Sequence, residues 1–148
     1  PITVVKSIAL NPNGSQLDIS YTLINNHSDR VTLWFGIEFG LAVPSDDDDI
    51  RFCYVGDRKS NGKTVTCLGN AARCEEFGLK DGYLKVDTNF KLNRPAQLWR
   101  FPVYTVSMSE AGFEKVQQSL VLFPSWKLFL EPQERWEVRI DNSFILLK

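Results

Sequence analysis

The chain has 148 residues, and its 17 basic and 18 acidic residues leave a formal net charge of −1. At 43% hydrophobic, 24% charged and 12% aromatic it has the composition of a globular domain, which excludes disorder, collagen-like repeats and coiled coil. The even charge balance, with no Lys/Arg stripe, argues against a phosphate-tracking nucleic-acid surface, and no apolar run reaches the roughly 18 residues of a membrane span.

The N-terminal segment Pro1-Ile2-Thr3-Val4-Val5 lacks the charged and apolar regions of a signal peptide. Cysteine is sparse and odd in number (Cys53, Cys67, Cys74), which favours a reducing compartment and a cytoplasmic location over a disulfide framework. Along the chain the dominant period is two. Leu17, Ile19, Tyr21 and Leu23 alternate with Asp18, Ser20 and Thr22. From Val31 the odd positions Val31, Leu33, Phe35, Ile37, Phe39, Leu41 and Val43 are apolar, which predicts a long strand. Residues 70–77 suggest one short helical turn. Trp126, Leu128 and Leu130 form another apolar face, and Trp136, Val138 and Ile140 alternate with Arg135, Glu137, Arg139 and Asp141.

Turn chemistry separates these runs: Asn11-Pro12-Asn13-Gly14, residues 25–29, Asn61-Gly62, Asp81-Gly82, Asn93-Arg94-Pro95 and Glu131-Pro132-Gln133. About ten short strands predict an all-β fold, an antiparallel β-sandwich forming a single domain over 1–148. Its core candidates are Tyr21, Phe35, Phe39, Trp126 and Trp136.

Catalytic signals are weak. A glycosidase sets two carboxylates about 5 to 9 Å apart across one bond, and nothing in the spacing of Glu38, Glu110, Glu114 or Asp46-Asp47-Asp48-Asp49 forces such a pair. The Asp run has neither the spacing nor the central glycine of an EF-hand and reads as a solvated loop. The three cysteines and His27 lack the close pairing of a zinc site, so no metal or cofactor is expected. There is no G-x-S-x-G elbow and no phosphate-cradling glycine loop. The even face of the long strand is different: Trp34, Gly36, Glu38 and Gly40 would form a bare shelf with an aromatic wall and a carboxylate, which suits a sugar. The same pattern also suits a face that docks on another domain.

One segment resembles a known family. Leu98-Trp99-Arg100-Phe101-Pro102-Val103-Tyr104-Thr105-Val106-Ser107-Met108-Ser109-Glu110-Ala111-Gly112-Phe113-Glu114 is similar to the fP-x-x-TVS-x-SE-x-GFE stretch in the C-terminal region of glycoside hydrolase family 57 enzymes, the α-amylase and 4-α-glucanotransferase type. Gln118, residues 126–130, Tyr21-Thr22-Leu23-Ile24-Asn25 and Phe35-Gly36-Ile37-Glu38-Phe39 fit as well. The resemblance implies a β-sandwich related to the galactose-mutarotase supersandwich, shorter here than the family's full region. It implies a non-catalytic domain with no catalytic residue of its own, docking on a catalytic (β/α) barrel and partly walling its α-glucan groove. Within the shared motif two readings stand. Ser107, Ser109, Glu110 and Glu114 fix a structural corner, or Glu110 and Glu114 with Arg100 line the groove. Trp34, Glu38, Arg100, Glu110 and Glu114 are therefore the candidate substrate-binding residues. The other readings are a stand-alone α-glucan-binding module and a mutarotase- or epimerase-like enzyme.

Overall fold

The computed structural model describes residues 1–43, 50–56, 63–64, 68–109 and 112–148. Asp46–Asp49, Asn61-Gly62, Cys67 and Glu110 therefore lie outside the described residues. Ten strands are present and, among the described residues, no helix: β1 (Ile2–Leu10), β2 (Gln16–Asn25), β3 (Val31–Gly36), β4 (Phe39–Ala42), β5 (Arg51–Val55), β6 (Lys63–Thr64), β7 (Gly69–Asp81), β8 (Val86–Ser109), β9 (Gly112–Leu130) and β10 (Arg135–Leu146). The helical turn expected at 70–77 is instead part of β7. Cross-strand pairing with β8 overrides a local pattern too short to nucleate a helix.

All pairings are antiparallel. One hydrogen-bonded set folds over into two layers. The first runs β1-β2-β10-β8-β7-β5-β6. The second is built from β3 and β4 against β9, and from β9 against the far half of β8. β7 and β8 belong to both layers. β8 pairs with β10 through Leu92 and with β9 from Gln97 onward, and β7 shifts register between Ala71 and Glu76, where it crosses over.

The core lies between the layers. Tyr21, Phe35, Trp126 and Trp136 form one aromatic cluster, and Phe39, Phe90 and Phe77 form a second. Each ring contributes on the order of 2–3 kcal/mol by area removed from water. The alternation read from 31–43 holds across both strands. Phe35, Ile37, Phe39, Leu41 and Val43 belong to or pack on the core, while Trp34 and Glu38 are exposed. The predicted single strand is interrupted at residues 37 and 38. Ile37 donates its N–H to the Pro124 carbonyl at 3.0 Å, but proline has no N–H to return, so the ladder breaks there.

One buried ion pair ties β5 to the end of β7. Arg51 Nε donates to Asp81 Oδ2 at 2.9 Å, and both side chains are 7% exposed. Burial pushes the Asp81 carboxyl up. The Leu84 and Tyr83 N–H groups and the Arg51 guanidinium outweigh it, holding Asp81 below the usual carboxylate range.

Candidate functional site

Strand alternation sorts the second layer into two faces. On β9, Leu120, Leu122, Trp126, Leu128 and Leu130 point to the core, so Val121, Phe123, Ser125 and Lys127 point outward. Register then places Gly40, Gly36 and Trp34 of β3 and β4 and Gln97, Trp99 and Phe101 of β8 on that outer face.

Trp34 is 62% exposed and stands opposite Lys127. It borders a cleft of about 440 Å³ lined also by Arg73, Gln97, Ser125, Trp126 and Lys127. Arg73 sits within the first register shift of β7, between Ala71 and Cys74, with φ +56°, a left-handed conformation that costs a non-glycine residue on the order of 1 kcal/mol or more. Bulged segments of this kind re-aim side chains. The neighbouring Cys74 thiol is pushed up by burial and donates to the Glu76 carbonyl at 3.2 Å. Trp126 is 7% exposed, and its buried Nε1 has no hydrogen-bond partner among the described residues. A second depression of about 410 Å³ lies by Asn70, Trp99 and Phe101, and Trp99 is 43% exposed.

The shelf expected along Trp34, Gly36, Glu38 and Gly40 is not bare. Phe123 lies against Gly36 so closely that a Cβ there would enter its ring, whereas Gly40 faces open space. Glu38 is exposed in the break between β3 and β4 and does not border the Trp34 cleft.

The 98–118 motif proves to be a hairpin that outruns the other described strands of the sandwich. Beyond Val103, among the described residues, β8 and β9 pair only with each other, through Tyr104↔Gln117, Thr105↔Val116, Val106↔Lys115, Ser107↔Glu114 and Met108↔Phe113. Tyr104, Val106 and Met108 continue the core-facing side of β8. In this arm nothing described covers that side: Val106 is 66% exposed, and Met108 and Phe113 are each 81% exposed. Lys115 Nζ stands 3.8 Å from the Tyr104 ring centre. On the opposite side Gln118 Nε2 donates to Thr105 Oγ1 at 3.0 Å.

At the root of the arm two buried polar side chains have atoms without hydrogen-bond partners among the described residues. Arg100, 8% exposed, crosses the backbone at Gly69, where an added Cβ would meet its guanidinium at 2.7 Å. Its Nε has no hydrogen-bond partner among the described residues, nor has either amide atom of Gln117, which is 5% exposed. The structure does not bring Arg100 and Glu114 together. Glu114 is exposed opposite Ser107, about 23 Å along β8 from Arg100 and on the other side of the ribbon. His27 lies in the turn after β2, its Nδ1 3.4 Å from Asp29 Oδ2. Sequence reasoning missed Arg73, Gln97, Phe123 and Lys127, because only strand register sets them beside Trp34.

The fold and its faces define an antiparallel β-sandwich domain with an open edge. The sequence model described as "Alpha-amylase/4-alpha-glucanotransferase, C-terminal" matches residues 1–140, and the chain belongs to that family. It is 27% identical over 135 residues to alpha-amylase 1 of Dictyoglomus thermophilum, covering 91% of this chain and 19% of that protein. It is 31% identical over 128 residues to the 4-alpha-glucanotransferase of Thermococcus kodakarensis, covering 84% of this chain and 16% of that protein. The chain thus spans less than a fifth of these curated relatives. The crystal structure of 4-alpha-glucanotransferase from Thermococcus litoralis superposes with a TM-score of 0.70 at 22% identity, over 97% of this chain and 18% of that one. A putative aldose 1-epimerase from Escherichia coli K12 shares the fold at TM-score 0.63 and 12% identity, over 99% of this chain and 61% of that one.

Proposed function

We propose that this chain is a non-catalytic accessory domain of an α-glucan hydrolase or transferase of the glycoside hydrolase family 57 type, docking on a catalytic barrel and partly walling its groove. The arm formed by residues 104–109 and 112–117 carries this reading. A two-stranded ribbon with Val106, Met108 and Phe113 open to water on one side is unfavourable alone and favourable against an apolar partner. Arg100 and Gln117 at its root support the same surface. Buried polar groups without partners cost about 1–3 kcal/mol each, a cost relieved when a docking partner supplies acceptors and donors. The extra length of the relatives offers such a partner. Hydrolysis or transfer is assigned to the barrel; Glu75 and Glu76, which line a cleft of about 480 Å³ with Arg73 and Cys74, are sequence neighbours on one strand.

A chimera tests this reading. The chain replaces the matching region of the Thermococcus kodakarensis 4-alpha-glucanotransferase. Docking predicts one cooperative unfolding transition, which splits into two on Met108→Ser with Phe113→Ser. Two independent transitions in the unmutated chimera would refute it.

A further inference from the structure

We propose that the outer face of the second layer, from Trp34 to Trp99, binds an α-glucan chain directly, at a site separate from the docking arm. Sugar rings stack on the two exposed indoles, and their hydroxyl oxygens accept hydrogen bonds from Gln97, Lys127 and Arg73. This rests on the reading that the domain serves an α-glucan-processing protein.

Three observations carry it. First, Trp34 and Trp99 lie on one face, two strands apart and four residues offset along β9, a separation of about 16 Å that a few linked sugar rings can span. Both indoles are exposed, and pyranose C–H faces pack on aromatic rings. Second, the cleft beside Trp34 is rich in donors and has no carboxylate. Arg73, Lys127 and the Gln97 amide line it. Donors without a carboxylate pair bind hydroxyl oxygens but cannot hydrolyse a glycosidic bond. Third, the local backbone is strained to build the cleft. Arg73 keeps φ +56° inside the register shift between Ala71 and Cys74, a conformation that persists only where the surroundings fix it. The arm offers nothing similar: its exposed face is aliphatic and aromatic with a single cation, Lys115, already over Tyr104.

Affinity electrophoresis of the 148-residue chain through gels containing glycogen, with maltoheptaose and inorganic phosphate as competitors, is the experiment. The chain is expected to be retarded, and maltoheptaose to release it. Trp34→Ala should weaken binding about tenfold, Trp99→Ala less, and Phe113→Ser not at all. Both tryptophans are exposed, so unchanged thermal midpoints will confirm that the variants fold. Three results would overturn the site: no retardation at millimolar glucosyl units, retardation kept in the Trp34→Ala/Trp99→Ala double variant, or competition by phosphate equal to that by maltoheptaose. Each leaves the chimera's unfolding unaffected, so the glucan site and the docking role fail separately.

Discussion

β9 connects two ends of the sandwich that handle buried polar groups in opposite ways. Near Leu130, Asn25 is fully buried and every polar group it has is used. The two hydrogens of its Nδ2 are shared among the carbonyls of Asp29, Leu130 and Glu131, its Oδ1 accepts from the His27 N–H, and its backbone exchanges bonds with Gln133 and Glu134. One side chain thereby closes two turns. At the other end Arg100 and Gln117 are almost as buried, but Arg100 Nε and both Gln117 amide atoms have no such partners among the described residues, and the arm beyond them exposes its apolar side. The first end is complete within the domain. The second has the chemistry of half an interface, because burying polar groups is tolerated only where partners exist.

If that contrast is right, substitutions should be severe at the closed end and mild at the open one. Asn25→Ala removes partners from both turns and should cost about 3 kcal/mol, lowering the thermal midpoint by roughly 10 °C. Calorimetry of the isolated chain measures it, and a loss under 1 kcal/mol would mean that the turns close without Asn25.

Asp81→Asn strands the Arg51 charge and should also cost about 3 kcal/mol at neutral pH. The pH dependence has a definite sign. Asp81 is held below the ordinary carboxylate range, so its contribution is complete above that range. It is lost as the pH falls through its lowered folded value. Denaturant titrations from pH 7 downward should therefore show wild type and Asp81→Asn converging at acid pH.

Gly36→Ala drives a methyl group into Phe123 and should cost about 1–3 kcal/mol. Combining it with Phe123→Ala should recover part of that loss in a double-mutant cycle, since the two share one contact.

The smallest effects belong to the open end. Phe113→Ser should change the stability of the isolated chain by no more than about 0.5 kcal/mol, because the ring already faces water. Arg100→Met should leave it unchanged or raise it, since a buried guanidinium whose Nε has no hydrogen-bond partner among the described residues is exchanged for apolar packing. A large loss in either variant would show that the open end is already satisfied within the domain.

Much of the fold was legible in the sequence because it depended on alternation alone. The period of two from Val31 to Val43 sets which side chains enter the core, and the structure keeps that assignment even across the break at residues 37 and 38. The break depended on Pro124, some ninety residues away, whose missing N–H matters only once register places it opposite Ile37. The helical turn expected near residue 74 failed for a related reason, as local propensity gave way to pairing with β8. Of the candidate residues, Trp34 lies on the exposed face that its alternation implied. Arg100 carries the burial that no local pattern signals, and Glu110 is outside the described residues.

Residue order therefore determined the all-β class, the core-facing positions and the family, because side-chain alternation and a local motif are written in consecutive residues. Tertiary structure alone decided that Arg73, Gln97 and Lys127 gather beside Trp34. It also decided that Phe123 fills the space over Gly36, and that residues 104–109 and 112–117 outrun the other described strands. These are properties of strand register and layer length, and both arise from pairings between segments far apart in the chain.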